Sequence, residues 1–204
     1  MQINMFERLF VKNPDQEQNH KREKIMPLFD RLENINEHTV QFVYQTDFEK
    51  ALAFLKSYVG SKGTFNSYRR ELERLLQWCS LKAHKSLKDL KREDIEDFVK
   101  FCQKPPLSWI GLKKAPRFIE QEGQRIPNKA WKPFVVTVTK AAYREGERPQ
   151  KKEFSFLQTK DLFAILNSFF NYLIQENYIL SNPVALVRQK SKYIRVHQSP
   201  IRRL

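Results

Sequence analysis

Residues 64–79 read Thr-Phe-Asn-Ser-Tyr-Arg-Arg-Glu-Leu-Glu-Arg-Leu-Leu-Gln-Trp-Cys, from Thr64 to Cys79. Phe65, Tyr68, Leu72, Leu75, Leu76 and Cys79 recur at steps of three and four, the spacing that stacks side chains on one face of a helix. The opposite face carries Asn66, Arg69, Arg70, Glu73, Arg74 and Gln77. Lys62 and Gly63 lead in, and Thr64 is placed to cap the first turn by accepting a backbone N–H. The prediction is a helix reaching about Ala83, with a buried seam, a partly basic outer face and open N–H groups at its start. Such an N-terminus suits a phosphate. Most helices of this kind are surface helices whose arginines meet only water, so function has to be sought in the rest of the chain.

Charge supplies the first context. The 204 residues carry 37 Lys and Arg against 23 Asp and Glu, a net charge of +14. The first 50 residues are mildly acidic, with 7 basic and 9 acidic side chains, so residues 51–204 hold 30 basic and 14 acidic ones. A basic bulk behind an acidic entry points to a polyanion, with nucleic acid first. An apolar share of 41 % with 16 Phe and 7 Tyr is enough for a real core, and 5 Gly and 10 Pro argue against low complexity. Cys79 and Cys102 each fall on the apolar face of a predicted helix and are expected as buried free thiols in a reducing, cytoplasmic setting. There is no zinc-ligand pattern, no run of 18 apolar residues and no signal-peptide core, which predicts a soluble intracellular protein without metal, cofactor or membrane partner.

Upstream of the organising helix, Thr46-Asp47-Phe48-Glu49 has capping-box spacing. Phe48, Ala51, Leu52, Leu55, Tyr58 and Val59 follow as an apolar stripe, and Gly60 stands where a C-terminal cap belongs. The short turn 61–63 predicts that these two helices pack as a hairpin. Residues 1–45 read as a partly ordered extension that packs on the main domain. Downstream, a helix over about Arg92–Gln103 turns Ile95, Phe98, Val99 and Cys102 inward and stops at Pro105-Pro106. Residues 104–153 form an insertion with 12 basic and five acidic residues, Trp109 and Trp131. Within it Phe134–Thr139 reads as a strand, with a hairpin partner near Pro149–Phe154. A long amphipathic helix is predicted over Gln158–Asn177 around Leu162, Ile165, Leu166, Phe169, Phe170, Leu173 and Ile174. Asn182-Pro183 opens a last short helix, Val184–Arg188. Residues 189–204 read as an extended basic linker. The domain thus spans 46–188.

In this order the residues resemble a known family. Gly63-Thr64-x-Asn66-x-Tyr68-Arg69-Arg70-x-Leu72, followed by Trp78, resembles the second helix of the core-binding domain of tyrosine recombinases (the phage-integrase family). Phe170-Asn171-Tyr172-Leu173, Glu176-Asn177-Tyr178-Ile179 and Asn182-Pro183 are similar to the end of that domain. The likeness covers about 46–103 and 155–190. It implies an all-α fold, a SAM-like orthogonal bundle of four to five helices that forms one half of a clamp on a DNA core site and self-associates as a tetramer in the full-length protein. Carried over by position, Lys62, Thr64, Asn66, Ser67, Arg69, Arg70 and Arg74 on the organising helix would face phosphates and base edges. So would Gln158, Thr159 and Lys160 at the start of the fourth helix. A helix entering the major groove presents its first residues to the bases, while Arg and Lys fix register on phosphates. Lys151, Lys152, Arg188, Lys190 and Lys192 complete the candidate set. The chain departs from the family where Arg is frequent early and midway along the fourth helix: it has Asp161, Asn167 and Ser168 there. Insertion cations, among them Lys113, Lys114, Lys129, Lys132 and Arg144, are expected to replace those contacts.

The family's catalytic residues belong to a further domain, after the linker. None of His20, His38, His84 and His197 has Arg three positions on, Tyr193 falls in the linker, and no P-loop or nucleophile elbow occurs. The expectation is therefore a binding half, not an enzyme, that stops at Leu204 where a catalytic domain would begin. The expected partner is double-stranded DNA, with no small-molecule substrate, in a bacterial or phage-encoded, nucleoid-associated protein. Two other readings stay open: a stand-alone helical DNA- or RNA-binding regulator, and a protein-interaction module whose charge is incidental.

Overall fold

The organising helix forms as its period dictates, but its surroundings do not match the expectation. In the computed structural model, which describes residues 25–35 and 42–194, it is an α-helix over Lys62–Trp78 (α2). A π turn, Cys79–Ala83, prolongs it, and His84, at φ 51°, closes it in the left-handed region. Phe65, Leu72, Leu75, Leu76 and Cys79 are fully buried and Tyr68 half-buried, as the seam predicts. Every residue from Glu71 to Ser80 is also buried, including Glu71, Glu73, Arg74 and Gln77. The polar face is not solvated. The cap differs too: Ser61 holds that position, and Thr64 lies in the first turn accepting a hydrogen bond from Ser61 Oγ at 2.9 Å.

α1 spans Gln45–Lys56 and pairs with α2 as a hairpin. The predicted capping box at Thr46 does not form, because α1 already starts at Gln45, with Tyr44 at its cap, and Glu49 accepts from Gln45 Nε2 at 3.2 Å; the acid of this turn with a tertiary role is Asp47. Its carboxylate is buried and accepts from the Leu87 amide at 2.9 Å, Ser86 Oγ at 3.0 Å and the Tyr178 hydroxyl at 2.6 Å. Gly60 is no cap either: α1 ends at Lys56 with Ser57 in the ordinary helical region. Val59 is exposed, and the stripe instead includes Phe54, which meets Tyr68 at 5.4 Å, Phe169 at 5.2 Å and Tyr172 at 5.1 Å between ring centres.

α3 runs Arg92–Gln103 with Ile95, Phe98, Val99 and Cys102 inward, as expected. Both thiols are buried and unpaired, and burial pushes their pKa values well up. After the short α4 (Lys140–Arg144) comes α5, Thr159–Gln175, whose Leu162, Leu166, Phe169, Phe170 and Leu173 sit at the centre of the core. The helix expected at Val184–Arg188 is only a turn, held by Asn182 Oδ1, which accepts from the amides of Val184 and Ala185. The presumed linker is folded as far as Ile194. Lys190–Tyr193 is a 3₁₀ turn, Tyr193 is buried, its hydroxyl donates to Glu96 at 3.0 Å, and its carbonyl accepts from Gln103. Residues 195–204 of that expectation lie outside the described residues.

The insertion carries the strands, not in the predicted pairing. β1 (Ile110–Gly111) and β4 (Phe134–Val135) run parallel, with Ile110 opposite Phe134. β2 (Phe118–Gln121) and β3 (Gln124–Pro127) form an antiparallel hairpin closed by Glu122 and Gly123, both at positive φ, 52° and 74°. Two consecutive left-handed residues are what a two-residue hairpin turn of type I′ requires. Residues 151–153, expected on a strand, form a 3₁₀ turn. The extension also contributes directly: Leu28, Phe29 and Ile35 belong to the main core, and the Phe29 ring stacks on Phe48 at 5.2 Å. The fold is mostly helical with small two-stranded sheets, and no described helix is long and apolar enough to cross a membrane.

Candidate nucleic-acid interface

The buried polar face of α2 is closed by pairs from two directions. Glu73 Oε1 accepts from the amides of Leu28 (2.7 Å) and Phe29 (3.3 Å), and its Oε2 accepts from Arg117 Nε at 3.0 Å. Glu71 accepts from Arg74 at 2.9 and 3.0 Å and from Arg70 Nε at 2.6 Å. Arg74 also donates twice to the Pro133 carbonyl, at 2.9 and 3.0 Å, and lies over the Phe134 ring at 4.4 Å. Asp30 and Arg125 form a two-bond pair at 2.6 and 2.8 Å. Buried ionic groups are tolerated only when matched in this way.

This closure corrects the candidate set. Arg74 is buried and fully committed inside the chain, so it is withdrawn as a DNA contact. Arg69 is withdrawn as well: it is 8 % exposed, donates to the Asp30 carbonyl and to Asn66, and packs on Phe65. Burial, with Arg117 nearby, brings its pKa down to about 10. Thr159 is buried at 3 % exposure. Lys151 donates to the Leu107 carbonyl at 2.9 Å. Lys192 pairs with Glu96 at 3.7 Å and Lys190 lies over Phe163 at 5.7 Å, so both serve to dock the C-terminal turn, beside the exposed Arg188. Lys152 is exposed but does not share the cleft described next.

The other candidates remain accessible. Lys62 and Asn66 are exposed at the start of α2, with Thr64 and Ser67 half-buried beside them; Lys62 has only an exposed partner, Glu33, at 3.4 Å. Arg70 continues this surface, its side chain 38 % exposed. It also lines a cleft of about 600 Å³ whose far wall reaches Gln158, the residue that opens α5. The cleft's charged lining is Arg70, Arg74, Lys114, Arg117 and Lys132 against the single acid Glu153. Lys160 is exposed just beyond. The middle of α2, at Arg70 and Arg74, and the start of α5, at Gln158, thus share one cationic cleft. A second hollow of about 330 Å³, between Phe54, Tyr58, Asn171 and Tyr172, has no charged lining.

Sequence reasoning named Lys114 and Lys132 only among many insertion cations and missed Arg117 as a member. Arg117 is positioned by Glu73 and by Trp131, 5.3 Å beneath its guanidinium, and neither partner is near it in sequence. At the positions where the family carries Arg, Asn167 instead helps to hold the chain after α5. Asn182 Nδ2 donates to Asn167 Oδ1 at 3.0 Å and to Asn171 Oδ1 at 2.7 Å. Among the described residues no group of three His, Cys, Asp or Glu could hold a metal. Compared with family models, curated proteins and solved structures, the chain matches none of them.

Proposed function

We propose that this domain binds double-stranded DNA sequence-specifically, as the core-site-binding half of a site-specific recombinase of the tyrosine-recombinase kind. In this reading α1, α2, α3 and α5 form a SAM-like bundle, and the DNA is held for a catalytic domain rather than cut here. One observation carries the reading: a single cationic cleft joins Arg70, two turns into α2 beyond its exposed start, to Gln158 at the start of α5. Helix starts are the parts that reach base edges in a major groove, and lysines and arginines around them would neutralise phosphates. In this arrangement Lys62, Asn66, Ser67 and Arg70 meet one stretch of duplex, and Gln158 and Lys160 the adjoining one.

Selection from a pool of randomised duplexes tests the proposal. A recurring motif, with half-sites in inverted repeat, is the expected result; an unenriched pool would contradict sequence-specific binding. On the selected site, Arg70→Ala is expected to weaken binding by about 1–3 kcal/mol and to relax one base position if Arg70 reads a base. Fluorescence anisotropy against the selected and a scrambled duplex measures both effects. Equal affinity for the variant and the parent would take Arg70 out of the interface.

A further inference from the structure

We propose that the cleft between α2 and the insertion is a phosphodiester anchor, a site that grips the nucleic-acid backbone without reading sequence. The inference rests on the DNA-binding reading above and gives the insertion a role distinct from that of the helix starts.

Three features carry it. The first is donor capacity. Lys114 and Lys132 make no hydrogen bond or ion pair among the described residues, and Arg117 uses its Nε on Glu73 while its terminal nitrogens have no partner there. The second is the scarcity of acid in the lining, where Glu153 stands alone against five cations. Glu71 and Glu73 are fully buried beneath it and already matched, and Glu153 accepts the Gln150 amide at 3.3 Å. An anion entering the cleft therefore finds Arg70, Arg74 and Arg117 already matched by Glu71 and Glu73, and Lys114 and Lys132 with no acid partner among the described residues. The third is rigidity. Arg74 ties the Pro133 carbonyl to α2, which fixes the segment just ahead of β4 that bears Lys132. Gly111 lets that segment approach: a Cβ there would stand 3.3 Å from Lys132 Cβ.

Size and lining decide what kind of anion. A cleft of about 600 Å³ is far too small for a duplex but takes a phosphate with its sugars. Two of its three lining rings are closed to base stacking, Trp131 at 5 % and Phe156 at 4 % exposed, and the third, Phe154, is half-buried. Guanidinium and ammonium groups around a phosphate bind without regard to base. The shared chemistry is a phosphodiester, supplied by a duplex or by a single strand.

The test uses the double variant Lys114→Ala/Lys132→Ala of the whole chain, with a duplex and a single-stranded oligonucleotide of equal length, across a salt series. Removing two phosphate contacts should flatten the log–log salt slope by roughly 1.8 for the duplex and 1.4 for the single strand. At ~0.1 M salt it should weaken binding on the order of 10–100-fold, equally on selected and scrambled sequences. A loss on the duplex alone assigns the anchor to duplex backbone, and a loss on both to any phosphodiester. The variant Lys114→Arg/Lys132→Arg should keep the parent slope. Inorganic pyrophosphate, followed by Trp131 fluorescence with Trp131→Phe as control, separates the two claims. A parent chain that answers pyrophosphate but binds no DNA keeps the anion site and removes the DNA reading. Unchanged slopes in the alanine variant, on both oligonucleotides, would overturn the anchor.

Discussion

Arg74→Ala is expected to lower folding stability by about 3–5 kcal/mol, the usual result of breaking a buried ion pair from one side. The Arg74 side chain is 8 % exposed and that of Glu71 1 %. Without the guanidinium, Glu71 keeps only Arg70, and the Pro133 carbonyl loses both of its donors. Contact with the Phe134 and Phe156 rings goes as well. For a chain of this size the melting temperature should fall by roughly 10–15 °C. Removing both charges together, Arg74→Met with Glu71→Leu, should recover much of the loss, because matched apolar groups avoid the cost of an uncompensated charge. Urea denaturation of the single and double variants measures this. A single-variant loss below about 1 kcal/mol would mean that the insertion is not locked to α2 through this residue.

Glu73→Ala should cost about as much, roughly 3–5 kcal/mol, and its effect should be directional. Glu73 is fully buried and bridges two segments that do not otherwise share a helix: the extension at Leu28 and Phe29, and the insertion at Arg117. Its removal strands two amide donors and one guanidinium, each a recognised penalty. Hydrogen exchange reads the consequence locally. The Leu28 and Phe29 amides should lose protection at least tenfold, equivalent to about 1.4 kcal/mol, before α5 is affected. Retained protection at both amides would show that the apolar contacts of Phe29 with Phe48, not the carboxylate, hold the extension in place.

Both effects arise in the part of the fold that was least legible from sequence. The seam of α2, the limits of α3 and the apolar face of α5 follow from periodicity, which local geometry imposes. The polar face of α2 carries the same residues whether it meets water or another segment. Its partners lie far off in sequence, 45 positions for Leu28 to Glu73 and 59 for Arg74 to Pro133. Nothing in the helix distinguishes a solvated arginine from one clamped on a distant carbonyl. The same reasoning applies to Asp47, whose tertiary partners Ser86, Leu87 and Tyr178 lie 39, 40 and 131 positions away and leave no mark in the local motif. The β2–β3 hairpin did leave a signal, Glu122-Gly123 between Ile119 and Ile126, but a weaker one than the β-branched run at 134–139. Of the candidate site, Lys62, Asn66, Gln158 and Lys160 were readable because helix starts were readable, and Arg70 because the period of α2 places it off the buried seam. Arg117 was not, since it depends on how the insertion folds.

The most direct test of the proposed interface is an amide chemical-shift map of the chain titrated with duplex DNA. Shifts are expected at Lys62–Arg70, around Lys114–Arg117 and Trp131–Lys132, and at Gln158–Lys160, with α3 and the Lys190–Tyr193 turn unmoved. Shifts confined to α3 and that turn, or none at saturating DNA, would contradict both the interface and the function drawn from it.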